Sequence, residues 1–147
     1  MSFSIKRLDN LNSDLCNQLR RYCYDLNGAF QEVHHEMGPF LNEYMYQEAL
    51  AILLEENNIP FQREYYFTVD FHGHTLKHRH FADFLCKDNV IVECKAVETL
   101  ATVHRQQLWN YMRLTRKPVG ILVNFAPVRD QCEHYYLDSA SNIMYMF

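Results

Sequence analysis

The segment HFADFLCKDNVIVECKA, residues 80–96, decides how the rest of the chain reads. Two apolar runs, Phe84-Leu85-Cys86 and Val90-Ile91-Val92, flank the turn-forming residues Lys87-Asp88-Asn89. The pattern predicts a β-hairpin. Asp83 stands on its first strand, Glu93 and Lys95 on its second. Residues two apart in a strand share a face, so Glu93 and Lys95 point the same way. Charged groups in strands this apolar are costly unless they are paired or used. Asp83 can bring a second carboxylate beside Glu93. Two carboxylates and a lysine at one sheet end suit a hard divalent cation held next to a phosphate. On this reading Asp83 and Glu93 hold Mg2+, the backbone carbonyl of Cys94 is a third ligand, and a water on the ion is the nucleophile. Lys95 orients that water or neutralises charge on the phosphate. Spacing alone fits a surface hairpin with a Glu–Lys pair equally well.

The 147 residues are enough for one domain with a substantial core, and a hydrophobic share of 48% with 22% charged residues is that of a globular protein. No internal repeat or linker interrupts them, so one domain is expected over 1–147. It divides into an N-terminal helical part (1–36), a catalytic core (37–137) and a C-terminal tail (138–147). The five cysteines are odd in number and form no CxxC pair. With no signal sequence in the amino end, Met1 to Arg7, they point to a reducing cytoplasm. No apolar run reaches the ~20 residues of a membrane helix. The net charge of −4 argues against a protein that coats nucleic acid by bulk electrostatics, but it allows an enzyme with a local cleft.

Apolar residues Leu11, Leu15, Leu19, Tyr22, Leu26, Phe30 and Val33 recur at helical spacing. They predict one amphipathic helix over 11–36, with a break near Asn27-Gly28. A second helix is expected from Phe40 to Asn57. Strands follow at Phe61–Phe71, Thr75–Cys86 and Val90–Ala96, with His72-Gly73-His74 as a turn. A helix over Val103–Thr115 and a buried strand over Val119–Phe125 complete a β-α-β unit. Ala126–Glu133 reads as a loop and His134–Leu137 as a further strand. Asp138–Phe147 would add an edge strand or pack on a partner. The fold class is α/β, a mixed sheet with helices against it.

Glu43, at the start of the second helix, either serves the helix dipole or adds a carboxylate to the site. It shares a stripe with Tyr46 and Leu50. His104, Gln107 and Tyr111 form a polar stripe on the helix after the third strand. They suit contacts to phosphate, water or a base, or else form a solvated face. His72, His74, His78 and His80 lack cysteines at zinc-finger spacing. With Lys77 and Arg79 they read as a basic, substrate-facing edge. No GxSxG, Walker loop or GxGxxG occurs.

Asp83 followed by Glu93-Cys94-Lys95 resembles the D…(D/E)xK core of the PD-(D/E)xK nuclease superfamily, with Ala82 in place of the usual proline. The stretch Gly38-Pro39-Phe40-Leu41-Asn42-Glu43-Tyr44-Met45-Tyr46 is similar to the signature of its small bacterial GxxExxY branch. Val92–Glu98, His104–Tyr111 and Val119–Phe125 continue the likeness. The resemblance implies a restriction-endonuclease-like fold with Glu43, Asp83, Glu93 and Lys95 as the catalytic set. It implies Asp83, Glu93, Glu43 and the Cys94 carbonyl as ligands of Mg2+ or Mn2+. Gln107, Tyr111, Tyr46 and His104 are the expected substrate contacts. Cys94 replaces a commoner aliphatic residue, and its side chain is expected on the opposite face. The implied activity is hydrolysis of phosphodiester bonds in nucleic acid, DNA before RNA, by Mg-activated water. The alternative is a non-catalytic interaction protein on the same scaffold, with a homodimer or protein partner supplying the rest.

Overall fold

The computed structural model describes residues 4–147. The readings that touch Met1–Phe3, the start of the helical part and the lack of a signal sequence, lie outside them. The elements run β1 (Ile5–Arg7), α1 (Ser13–Tyr22), α2 (Tyr24–Met37), α3 (Glu43–Glu56), β2 (Phe61–Phe67), β3 (Asp70–Phe71), β4 (His74–Thr75), β5 (His80–Cys86), β6 (Val90–Lys95), α4 (Thr102–Thr115), β7 (Val119–Asn124), β8 (Gln131–Asp138) and β9 (Ile143–Met146).

Seven strands form one sheet in the order β1-β9-β8-β7-β6-β5-β2. The β1/β9 and β6/β7 pairs are parallel and the other neighbours antiparallel. The sheet is therefore mixed. Parallel neighbours need a crossover, and α4 supplies it between β6 and β7. The central strands β6 and β7 are apolar on both faces, as strands covered on both sides must be. Val90, Val92 and Cys94 pack with α1, α2 and α3 on one side. Ile91 and Leu122 pack with Leu108 and Met112 of α4 on the other. This is the restriction-endonuclease-like arrangement of a mixed sheet between helices.

Four local expectations are corrected. The long first helix breaks at Cys23, not near Asn27-Gly28. At the break the Tyr22 carbonyl accepts from Lys87 Nζ of the β5–β6 turn (2.8 Å), which also pairs with Asp25 Oδ1 (2.6 Å). The N-terminal part is not wholly helical, since Ile5–Arg7 joins the sheet beside β9. The strand expected over Thr75–Cys86 is interrupted, and a separate small β3–β4 hairpin closes around Gly73, at φ 76°. The 126–133 loop is shorter, because β8 starts at Gln131. The tail supplies β9, which pairs with β8 on one side and β1 on the other. No helix of the described residues is long and apolar enough to cross a membrane.

Candidate active site

The site lies where two strands of the sheet part. The β5/β6 ladder ends at Phe84↔Val92. Beyond it β6 stays with β7 through Lys95↔Asn124. β5 stays with β2 through His80↔Phe67. In the fork, two carboxylates stand in for the missing ladder bonds. The amide of Asp83 donates to Glu93 Oε1 (3.2 Å), and the amide of Cys94 donates to Asp83 Oδ2 (2.8 Å). Backbone donors that the parting strands would have orphaned are thereby satisfied.

A second irregularity sits beside the first. Glu64, the residue of β2 facing Asp83, is missing from the β2/β5 pairing and has a left-handed backbone (φ 53°). The faces of both strands exchange there. Phe61 and Phe84 pack on the α1–α3 side, whereas Tyr65, Phe67 and Ala82 pack on the α4 side. Strict alternation would have kept Phe61, Tyr65 and Phe67 on one face. No sequence pattern marks Glu64 for this exchange, because a left-handed glutamate has no signature.

Glu93 is only 3% exposed. Burial, then the charge of Asp83, pushes its carboxyl well above the usual range. Burial raises Asp83 as well, against the Cys94 amide that favours its charged form. Glu43, at the start of α3, is half-buried and also raised, by desolvation and by the charge of Asp83. Gln47, one turn on, donates to Glu43 Oε2 (3.3 Å). The opposite wall is α4. Lys95 Nζ donates to Gln107 Oε1 at 3.5 Å, and Gln107 Nε2 donates to the Tyr111 hydroxyl (3.2 Å). Burial raises the Tyr111 hydroxyl, and the charge of Glu93 raises it further. His104 is lowered by desolvation and by Lys95. Its Nδ1 accepts from the Ala101 amide (3.0 Å) and so caps α4.

Glu43, Asp83, Glu93, Lys95, Gln107 and Tyr111 are thus brought to one notch, with His104 at its edge. Tyr46 is not. It is 0% exposed, so the expectation that it contacts substrate is corrected. Its ring stacks on Phe125 (5.0 Å, 19°). Its hydroxyl donates to Gly38 O (2.6 Å) and accepts from the Leu41 amide (3.1 Å). It clasps the turn that leads into Glu43, where Phe40 has φ 70°. Asn124 is a structural residue the sequence reading passed over. Fully buried at the end of β7, it bonds both N and O of Val97 (3.0 and 2.8 Å) and so fixes the chain just after Lys95. A lone polar residue closing the apolar run Val119–Phe125 was its only signal.

The donor chemistry fits a hard cation. Glu93 is buried and Asp83 half-buried beside it, and desolvation penalises the charged form of both. A dication would supply the missing positive charge. Among the described residues no three His, Cys, Asp or Glu side chains converge on one point. Two carboxylates with the remaining positions left to water is how Mg2+ is commonly held, in contrast to the closed ligand sets of structural zinc. The cysteines are poor candidates for chemistry: burial pushes Cys23 up to about 11 and Cys86 up to about 12.

The notch opens into two clefts. One, of roughly 320 Å³, is lined by Glu43, Glu64 and Asp83. The other, of roughly 830 Å³, lies along α4 and is lined by His78, His80, Gln106, Gln107, Asn110 and Tyr111.

Among proteins of curated function, none matches the chain. The crystal structure of SSO0001 superimposes with a TM-score of 0.51 at 23% identity, a likeness of fold. The match covers 69% of this chain and 54% of that one, so the chain spans about half the length of that protein. The family model of the PD-(D/E)XK nuclease superfamily matches residues 20–135, which include the fork, α3 and α4. By that match, the chain belongs to the PD-(D/E)XK nuclease superfamily.

Proposed function

We propose that the chain is a metal-dependent nuclease that hydrolyses phosphodiester bonds, DNA in preference to RNA, and that it belongs to the GxxExxY branch of its superfamily. The observation that carries the reading is the Asp83–Glu93 pair in the strand fork, Glu93 buried and Asp83 half-buried, with Lys95 two residues on and Glu43 on the facing helix. Asp83 and Glu93, with the Cys94 carbonyl, would hold Mg2+ or Mn2+. Such an ion supplies Lewis-acid polarisation of a phosphate and lowers the pKa of water. Glu43 orients and deprotonates the attacking water through its raised carboxyl. Lys95 donates to the phosphate oxygen on which charge develops, and Gln107 steadies its ammonium. Tyr111 holds Gln107 in place, and His104 lies at the mouth. The five free cysteines support a reducing, cytoplasmic setting.

Cleavage of single-stranded, duplex and branched DNA and of RNA, each with Mg2+ and Mn2+, tests the assignment. Asp83→Ala and Glu93→Ala are expected to abolish cation-dependent cleavage. Parental rates in either variant would remove the assignment.

The rival reading is a binding protein on the same scaffold. The net charge of −4 and the carboxylate-lined cleft favour it, since neither attracts a polyanion. A homodimer or protein partner would then supply contacts. Calorimetric titration with Mn2+ separates the two: heat that depends on Asp83 and Glu93 supports the nuclease, and its absence supports the rival.

A further inference from the structure

Three large aromatic side chains stand in solvent on one side of the carboxylates. Tyr44 is 71% exposed, Phe81 52% and Tyr66 49%. Tyr66 and Phe81 face each other across β2 and β5, with ring centroids 5.4 Å apart. Tyr44 adjoins Glu43 in sequence, and Tyr44 and Phe81 line the same cleft as Glu43, Glu64 and Asp83. The exchange of faces at Glu64 and Asp83 sends Tyr65, Phe67 and Ala82 inward, and Tyr66 and Phe81 outward. Single exposed apolar residues are ordinary, but a cluster beside a polar cleft marks a binding surface.

We propose that Tyr44, Tyr66 and Phe81 form a stacking platform for the unpaired bases of a single-stranded nucleic acid whose phosphate lies at Asp83, Glu93 and Lys95. The position of the phosphate rests on the nuclease reading; the platform itself rests on the rings. Charge favours stacking. Glu43, Glu64 and Asp83 repel phosphates, so this side of the notch gains no grip from backbone attraction. Stacking on a π-face needs no such charge and tolerates any base. Size favours a single strand. A cleft of roughly 320 Å³ is at the small end of ligand pockets and admits one nucleotide unit rather than a base pair. A duplex keeps its base faces stacked on one another and would leave the rings idle. A protein or a second copy of the chain laid over the rings would also bury the three carboxylates of the cleft against it, at high cost.

The test titrates the full chain, in Ca2+, against fluorescently labelled oligothymidine, oligouridine and a DNA duplex of the same length, with anisotropy as the readout. Gels check that the probes stay intact. The single strands are expected to bind at least tenfold more tightly than the duplex. Phe81→Ala and Tyr44→Ala should each weaken single-strand binding about fivefold or more, Tyr44→Ala with the melting temperature unchanged and Phe81→Ala with only the small loss of one cross-strand ring pair. Phe81→Tyr should restore binding, since any aromatic face serves. Equal affinity for single strand and duplex, or indifference to both alanine variants, overturns the proposal. So does a concentration-dependent dimer that Phe81→Ala dissolves, because the rings are then a protein interface. A chain that grips single strands through the rings and cuts nothing keeps the platform and removes the nuclease reading. A chain that cuts duplex equally well with or without the rings does the reverse.

Discussion

Glu93 carries an unfavourable burial in the metal-free protein. Its carboxyl is raised above its ordinary value of 4.5 in the fold, chiefly by desolvation and then by Asp83. A raised acid stabilises the folded state below its unfolded pKa, and that stability is lost as pH rises through the folded value. Without a cation the protein should therefore weaken as pH climbs from about 4.5 through the raised value of this carboxyl. Glu93→Gln removes the charge but keeps the shape and the acceptor for the Asp83 amide. It is expected to raise the metal-free melting temperature at neutral pH, by a stabilisation on the order of 1 kcal/mol, while ending cleavage. Thermal melts in EDTA across pH check both parts; a lower melting point for Glu93→Gln at neutral pH would contradict the account. Tyr46 works differently. Tyr46→Phe keeps the stack on Phe125 but strips a partner from both Gly38 O and the Leu41 amide. It should cost about 1–3 kcal/mol in denaturant unfolding. It should also lower kcat more than it raises KM, because the clasped turn leads into Glu43.

At the scale of elements, α4 lies so close to β7 that Gly120 has no room for a side chain. A Cβ there would collide with Met112 Sδ and crowd Leu108, both fully buried. Gly120→Ala should destabilise by about 1–3 kcal/mol in equilibrium unfolding and, by shifting α4, move Gln107 away from Lys95. Unchanged stability would mean that α4 sits further from the sheet. Much of this layout was legible in the sequence. The hairpin of β5 and β6, the α4 crossover and the stripe of Gln107 and Tyr111 all follow from local periodicity. The rest was set at long range. The break at Cys23 meets Lys87, far along the chain, whereas Gly28 sits in an open stretch of α2 where it disturbs nothing. β1 and β9 are short strands from opposite ends of the chain that pair with each other, so neither has a pattern of its own. The grouping of Asp83, Glu93 and Lys95 was visible as spacing. The fork that holds the first two was not, because it depends on where two ladders stop and on the left-handed Glu64.

For the whole molecule, the fold places the Asp83–Glu93 pair between two clefts, with α3 on one side and α4 on the other. Fold membership alone leaves the activity open, since such scaffolds are reused. What separates an enzyme from a binding protein here is whether Lys95 stabilises a transition state. Among the described residues Lys95 Nζ hydrogen-bonds Gln107 of α4 and neither carboxylate. A cation held by Asp83 and Glu93 should therefore be retained when Lys95 is lost. The decisive measurement is single-turnover cleavage of end-labelled DNA across a Mg2+ series by the parent and by Lys95→Ala, with Mn2+ affinity measured on both by calorimetry. The account predicts Mg2+-dependent cleavage by the parent, and a Lys95→Ala chain that binds the cation as tightly but cuts about a hundredfold more slowly or worse. Cleavage by Lys95→Ala at the parental rate would contradict it.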